Sequence, residues 1–275
     1  MLSKPGTRGS AAGSWYYVRM FFLMLVTLFA LGTVIASFVG VIVARLNTGQ
    51  SFLIGRSHCD ACTATLSPLV LLPIVSYGML RGRARCCGVR LSLYGPLMEF
   101  SLGGLFALAY LKIGLTPGLP FMLVSLSVLL ALVLYDLTHQ ILPPLLLVVF
   151  VLASALAGFL LASDLVSYGV SLMVAGSFAL FFALINFFSR GRAMGLADAP
   201  FVFALALLTG TAALPGFVFA FWIGAAIGIV VLARRPRGSR MGVEVPFAPY
   251  LAAGFLLAYF TQWNPLIIAA LLPSK

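Results

Sequence analysis

The chain has 275 residues, of which 62% are hydrophobic and only 8% are charged. Soluble domains carry roughly 25% charged residues, so this composition excludes a soluble globular protein and indicates an integral membrane protein. The net charge of +11 does not indicate nucleic-acid binding, because membrane proteins concentrate Lys and Arg in their cytoplasmic loops. We therefore expect the lipid bilayer, and no nucleic acid, as a partner.

Long apolar segments predict an all-α polytopic membrane protein with about eight transmembrane helices. The segments lie near residues 20–44, 97–114, 120–137, 141–162, 167–188, 199–213, 215–233 and 247–271. The first segment exceeds the apolar core of a cleavable signal peptide, so we expect a retained helix that follows an N-terminal tail, residues 1–19. Residues 45–95 then form a small polar, Cys-rich insert, and residues 96–275 form the main membrane domain.

The basic residues predict the orientation of these helices. If the insert lies in the cytoplasm, twelve arginines lie on that side and five basic residues lie outside. The cytoplasmic set is Arg45, Arg56, Arg81, Arg83, Arg85, Arg90, Arg190, Arg192, Arg234, Arg235, Arg237 and Arg240. The outer set is Lys4, Arg8, Arg19, Lys112 and Lys275. Because cytoplasmic loops carry the excess of Lys and Arg, this distribution favours a cytoplasmic insert.

The insert contains all four cysteines of the chain, in two groups. Cys59 and Cys62 form a Cys-x-x-Cys pair, and Cys86 and Cys87 follow as adjacent residues. Two thiolate groups at this separation are typical of a structural zinc site, and the cytoplasm keeps thiols reduced. Adjacent cysteines rarely both reach one metal, however, so a redox pair and a loop with incidental cysteines are the alternatives. A bound zinc would help to fold this small segment and would take no part in catalysis.

Two aspartates, Asp136 and Asp198, lie at the cytoplasmic ends of predicted spans. An ionisable group near lipid is costly, so such a residue is a candidate functional residue. Two carboxyl groups that share one proton can perform the chemistry of an aspartic protease. The alternatives are a polar boundary residue for Asp136 and a helix N-cap for Asp198. His139, one turn after Asp136, is a candidate for tuning this site, with simple solvation as the alternative.

Six segments, in the same order along the chain, resemble motifs of the type IV prepilin leader peptidases, which are membrane aspartic proteases. They are residues 36–46 (ASFVGVIVARL), 56–62 (RSHCDAC), 81–88 (RGRARCCG) followed by Ser92, Pro96 and Glu99, then Asp136, residues 191–198 (GRAMGLAD) and 245–250 (VPFAPY). The chain departs from the family pattern at three positions, one of which is Pro144, where many members have an aspartate that is not catalytic. Ala84 stands where the family has its third cysteine, and Ala197 replaces the second glycine of Gly-x-Gly-Asp.

The resemblance implies a role for each candidate site residue. Asp136 and Asp198 would form the catalytic pair, and Gly195 and Ala197 would let the backbone approach the substrate. Glu99 would contact the substrate or serve methylation. The zinc ligands would be Cys59, Cys62, Cys86 and Cys87. Because Ala84 stands in place of a cysteine, the alternatives are a site in which His58 is a ligand, a three-coordinate site, or no zinc site.

The resemblance also implies a substrate and a location. The substrate would be a prepilin or pseudopilin of a type IV pilus or type II secretion system, cut at the cytoplasmic face of the bacterial inner membrane. Many members also methylate the new amino terminus with S-adenosylmethionine. A membrane transporter with carboxylates in its helices and an inactive homologue that binds pilins without cutting them are the competing functions.

Overall fold

The computed structural model describes residues 9–46, 62, 64–65, 75–192, 194–234 and 246–265. Within these ranges the chain folds into helices and loops, and an isolated bridge pairs Arg83 with Arg90. The predicted all-α fold is confirmed. The insert residues 47–61 and the loop at 235–245 lie outside the described ranges.

The helices follow the order of the predicted spans. They are α1 (Gly9–Arg45), α2 (Val75–Met79), α3 (Tyr94–Ile113), α4 (Leu119–His139), α5 (Pro144–Leu161), α6 (Leu165–Ser189), α7 (Asp198–Thr209), α8 (Ala213–Arg234) and α9 (Ala248–Thr261). A short 3₁₀ turn, Gly210–Ala212, joins α7 to α8. Every predicted span coincides with one helix, and the five-residue helix α2 lies in the insert.

Six segments of the described chain are long and apolar enough to cross a membrane, which confirms a multi-pass protein. One of them, Asp198–Arg234, contains both α7 and α8. Three helices, α5, α7 and α9, are shorter than the predicted spans. The 12 residues of α7 extend only about 18 Å, whereas a hydrocarbon core is about 30 Å thick. The 14-residue helix α9 is apolar but also short.

The chain divides into two compact units, and the first contains the described residues of 1–38 and 56–111. Here α1 and α3 pack side by side through aromatic contacts. The rings of Phe21 and Tyr110 lie 5.5 Å apart, and those of Phe29 and Phe100 lie 5.8 Å apart. Since the two contacts run in opposite sequence directions along the helices, α1 and α3 are antiparallel.

The second unit contains the described residues of 39–55 and 112–275, and α7 lies at its centre. This helix packs against α5, α6, α8 and α9, while α4 packs against α5 and α9. Its sequence, DAPFVFALALLT, is almost entirely apolar after the first residue, which suits burial in protein or in lipid, and most of its residues are buried within the protein. Burial of α7 fixes the position of Asp198 at its first residue.

Candidate active site

A cavity of about 450 Å³ lies in the second unit, where α4 ends and where α7 and α9 begin. Its lining residues are Asp136, Gln140, Ile141, Leu142, Met194, Gly195, Leu196, Ala197, Asp198, Pro246 and Phe247. Both predicted carboxylates therefore reach the same cavity from different helices. Asp136 is 7% exposed and Asp198 is half-buried.

Asp136 lies in the last turn of α4 and is held by the start of α9. The backbone N–H of Ala248 donates to Oδ2 of Asp136 at 3.2 Å. Ala248 is the first residue of α9, so this N–H has no acceptor within its own helix. The positive end of the α9 dipole also favours a carboxylate at this point. The fold thus supplies Asp136 with a rigid backbone donor from a distant part of the sequence.

Asp198 is held by the loop that precedes it. The backbone N–H of Gly195 donates to Oδ2 of Asp198 at 3.1 Å, and the N–H of Asp198 donates to the carbonyl of Gly195 at 3.2 Å. The alternative to a catalytic role for Asp198 was a helix N-cap. The N-cap position of α7 is Ala197, so Asp198 does not have that position. Its carboxyl group instead points back to the loop and into the cavity.

The two small residues of the motif, Gly195 and Ala197, both line the cavity beside Asp198. Ala197 has φ −67° and ψ −19°, in the right-handed helical region that every L-residue adopts without strain. Alanine in place of the family's glycine therefore costs no backbone strain in this conformation. A role of either residue in binding the substrate stays a prediction.

Two other candidates lie away from the cavity lining. Glu99 is a half-buried residue of α3 in the first unit, whereas the lining residues all belong to the second unit, and its substrate role stays a prediction. The ring of His139 packs on that of Tyr135 at 4.4 Å, and His139 is exposed. The described structure therefore favours the solvated alternative for His139.

The sequence did not single out several residues that build the site. Gln140, in a left-handed conformation at the end of α4, lines the cavity beside Asp136. Phe247 lines it from the other side, and its matched segment VPFAPY was the only signal for it. Asn186, near the end of α6, donates from Nδ2 to the carbonyl of Met194 at 2.7 Å. An amide side chain in an otherwise apolar helix was the signal for Asn186.

The first unit brings three of the four cysteines together. The sulfur atoms of Cys62, Cys86 and Cys87 all lie within 4.8 Å of one another. The Cys62–Cys86 sulfurs are 3.2 Å apart and the Cys86–Cys87 sulfurs 3.8 Å apart. Thiolates around one tetrahedral zinc lie about 3.8 Å apart, given a Zn–S distance of about 2.3 Å. The geometry of these three thiols therefore fits a zinc ion.

Cys86 and Cys87 both lie close to Cys62, although they are adjacent in sequence. Two backbone hydrogen bonds, from Ala84 N–H to Val89 O and from Gly88 N–H to Ala84 O, both 2.8 Å, close a tight turn around the pair. Chain reversal within this turn lets both sulfurs reach the same side. Cys59, the predicted fourth ligand, and its alternative His58 lie outside the described residues.

Residues 30–113 match the family model described as Bacterial Peptidase A24 N-terminal domain. A Bacillus subtilis (strain 168) protein named Prepilin leader peptidase/N-methyltransferase is 31% identical over 237 residues, which cover 86% of this chain and 94% of that protein.

Two further relatives carry the same name. One from Myxococcus xanthus (strain DK1622) is 36% identical over 216 residues, which cover 76% of this chain and 64% of that protein. One from Dickeya chrysanthemi is 28% identical over 277 residues, which cover 87% of this chain and 95% of that protein. No solved structure matches the chain.

Proposed function

The chain belongs to the prepilin leader peptidase/N-methyltransferase family, and on that premise we propose that it is a membrane aspartic endopeptidase. Its substrates would be type IV prepilins or pseudopilins, from which it removes the leader peptide. One observation carries this proposal: Asp136 from α4 and Asp198 from α7 line the same cavity of about 450 Å³. The same observation counts against a transporter, for which carboxylates on opposite sides of the bilayer would be expected.

The two carboxyl groups would divide the work of peptide hydrolysis. Because like charges at close range do not both ionise readily, one group is ionised and the other keeps the shared proton. The ionised group takes a proton from water while the water oxygen bonds to the carbonyl carbon, and the protonated group donates a hydrogen bond to the carbonyl oxygen. Breakage of the C–N bond transfers a proton to the leaving nitrogen, which gives a free carboxylate and a new amino terminus.

The backbone donors leave one oxygen of each carboxyl group for this chemistry. Oδ2 of Asp136 and Oδ2 of Asp198 each accept an N–H from the protein, and in this proposal each Oδ1 would serve the shared proton, the water or the substrate. Preorganised donors of this kind stabilise the pair without rearrangement during the reaction. Which aspartate acts as the base is left open, since each accepts one backbone N–H.

Basic residues support a cytoplasmic position for the cavity. Arg190 and Arg192 lie in the loop that leads to Asp198, and Arg234 ends α8. The excess of Lys and Arg in cytoplasmic loops would place this end of the helices at the cytoplasmic face of a bacterial inner membrane. The leader of the substrate would then be cut on that side.

The proposal is tested by incubating the purified chain in detergent with a purified prepilin and identifying the products by mass spectrometry. We expect a single cut that releases the leader. A prepilin that binds and stays intact would support the inactive pilin-binding alternative. Failure to cut or bind several prepilins and pseudopilins would overturn the proposed function.

We also propose that the insert holds a structural zinc ion. Cys62, Cys86 and Cys87 would supply three thiolate ligands, with Cys59 as the predicted fourth. A metal in this position would add folding free energy to a segment that is too small and polar to build its own core. It would lie apart from the peptide-bond chemistry and take no step in it.

If the insert binds zinc, replacement of a ligand cysteine should lower the affinity for zinc. We expect about one zinc per chain in the reduced wild-type protein, measured by mass spectrometry of the metal, and a zinc affinity at least about tenfold lower in Cys62→Ser and Cys86→Ser. Ser92→Ala, which removes a hydroxyl group in the same unit and no thiol, should keep the full zinc content. Equal zinc content in wild type and both cysteine variants, or a Cys62–Cys86 disulfide in place of metal, would contradict the proposal.

A second activity is proposed from the names of the relatives alone, which include N-methyltransferase. Bound S-adenosylmethionine would supply the methyl group for the new amino terminus. Over the ranges that the structure describes, no glycine-rich nucleotide loop is present to hold this cofactor.

A further inference from the structure

We propose that Asn186 is a positioning residue for the carboxyl group of Asp198. Its side-chain amide fixes the orientation of a peptide group that donates a hydrogen bond to that carboxylate. The inference rests on the proposed catalytic role of Asp198, and it adds a residue to the site that does not itself line the cavity.

Two hydrogen bonds connect Asn186 to Asp198 through one shared peptide group. Nδ2 of Asn186 donates to the carbonyl oxygen of Met194 at 2.7 Å, and the N–H of Gly195 donates to Oδ2 of Asp198 at 3.1 Å. The Met194 carbonyl and the Gly195 N–H belong to the same peptide unit, which is planar and trans. Since the C=O and N–H of a trans peptide point in opposite directions, a fixed carbonyl also fixes the direction of the N–H.

Asn186 is itself held firmly at the end of α6. Its own carbonyl accepts the N–H of Gly191 at 2.9 Å and the hydroxyl of Ser189 at 3.2 Å. The chain reverses just after the helix through Arg190 and Gly191, with φ of 53° and 74°. Left-handed backbone of this kind is readily adopted by glycine. The reversal folds the following loop back over Asn186, so the amide meets the Met194 carbonyl.

The two aspartates differ in how their backbone donors are supported. The donor to Asp136 is the N–H of Ala248, which the helix α9 holds in place. The donor to Asp198 is the N–H of Gly195 in the loop between α6 and α7, and the backbone torsions of a glycine are less restricted than those of other residues. A loop peptide needs a second contact to keep one orientation, and the amide of Asn186 provides that contact.

The test compares variants that remove the amide donor with a matched control. Asn186→Asp keeps the side-chain shape but places a carboxylate, which has no N–H, against the Met194 carbonyl. Asn186→Ala removes both the shape and the donor. Gln262→Glu makes the same chemical change at the end of α9, where Nε2 of Gln262 donates to Tyr259 O at 2.6 Å.

We expect kcat for prepilin cleavage to fall about 10- to 100-fold in both Asn186 variants, the scale of one charge-assisted hydrogen bond. The affinity for uncleaved prepilin should stay within about twofold, because the substrate is not touched by Asn186. Gln262→Glu should keep the wild-type kcat. A role that is merely structural would instead lower the amount of folded protein and leave kcat per folded enzyme unchanged.

Amide hydrogen exchange of the loop, residues 190–197, provides a readout that does not depend on activity. We expect the exchange of the Gly195 amide to become at least about tenfold faster in Asn186→Asp and to stay unchanged in Gln262→Glu. Unchanged exchange in Asn186→Asp overturns the inference whether or not the protein cleaves prepilins.

The kinetic outcomes separate this inference from the proposed function. If wild type cleaves, Asp198→Asn is inactive and both Asn186 variants keep the wild-type kcat, the inference fails and the proposed function stands. If wild type does not cleave while exchange at Gly195 accelerates in Asn186→Asp, the proposed function fails and the support of this peptide by Asn186 stands.

Discussion

Replacement of either Asp136 or Asp198 by Asn is expected to lower the rate of prepilin cleavage by at least about 10³-fold. An amide neither takes a proton from water nor holds the shared acidic proton, so either change removes one half of the pair. Asparagine keeps the size of the side chain and an oxygen that accepts the N–H of Ala248 or Gly195. The fold should therefore survive, and the loss should appear in kcat measured on purified protein.

The matched control is Asp164→Asn. Asp164 is an exposed carboxylate at the start of α6, where it accepts the N–H of Ser167 at 2.6 Å as an N-cap. Asparagine caps helices about as well as aspartate, so this variant should cleave within about threefold of the wild-type rate. Residual activity above about a tenth of wild type in Asp136→Asn or Asp198→Asn would contradict the catalytic assignment.

Replacement of Gly254 by Ala is expected to lower the free energy of unfolding by about 3 kcal/mol or more. Helices α8 and α9 pack closely at this glycine. A Cβ atom on Gly254 would lie 2.5 Å from Cα of Ala220 and 2.6 Å from the carbonyl oxygen of Gly216. Both are backbone atoms of α8, so the added methyl group is accommodated only if the two helices separate.

Gly254→Ala should impair the active site as well as the stability of the fold. Helix α9 carries the Ala248 N–H that holds Asp136, and a shift of α9 moves this donor. Thermal unfolding in detergent and prepilin cleavage should both be impaired in Gly254→Ala. The control is Gly228→Ala on α8, where an added Cβ would meet nothing within 4 Å. A melting temperature for Gly254→Ala equal to that of Gly228→Ala would show that α8 and α9 do not pack as described.

The helices were predictable from sequence because long apolar segments separated by polar loops have few alternatives in a membrane. The role of α7 was not predictable in this way. Its apolar residues, 199–209, resemble a lipid-facing span, whereas the structure buries them between other helices of the unit. A segment that is apolar on all sides carries no pattern that separates burial in protein from exposure to lipid.

The candidate site was also predictable from the sequence only in part. Asp136 and Asp198 were found from their cost near lipid and from the family motifs, because carboxylates stand out in an apolar chain. The hydrogen-bond donors to these carboxylates are the N–H groups of Gly195 and Ala248. They could not be predicted from the sequence, because every residue except proline has such a group. Cys86 and Cys87 were predicted as ligands of one zinc ion, but the way in which two adjacent cysteines both come close to Cys62 was not predictable, because it depends on backbone hydrogen bonds within one turn.

The central claim, that Asp136 and Asp198 act as one pair, is tested most directly by the double variant Asp136→Asn/Asp198→Asn. Prepilin cleavage should be measured for wild type, both single variants and the double variant under identical conditions. If the pair acts as a unit, each single substitution already removes the whole contribution of the pair to the cleavage rate. The double variant is then no slower than either single variant. If the two single losses instead multiply in the double variant, or one single variant keeps its rate, the aspartates act independently and the account of a shared-proton pair is contradicted.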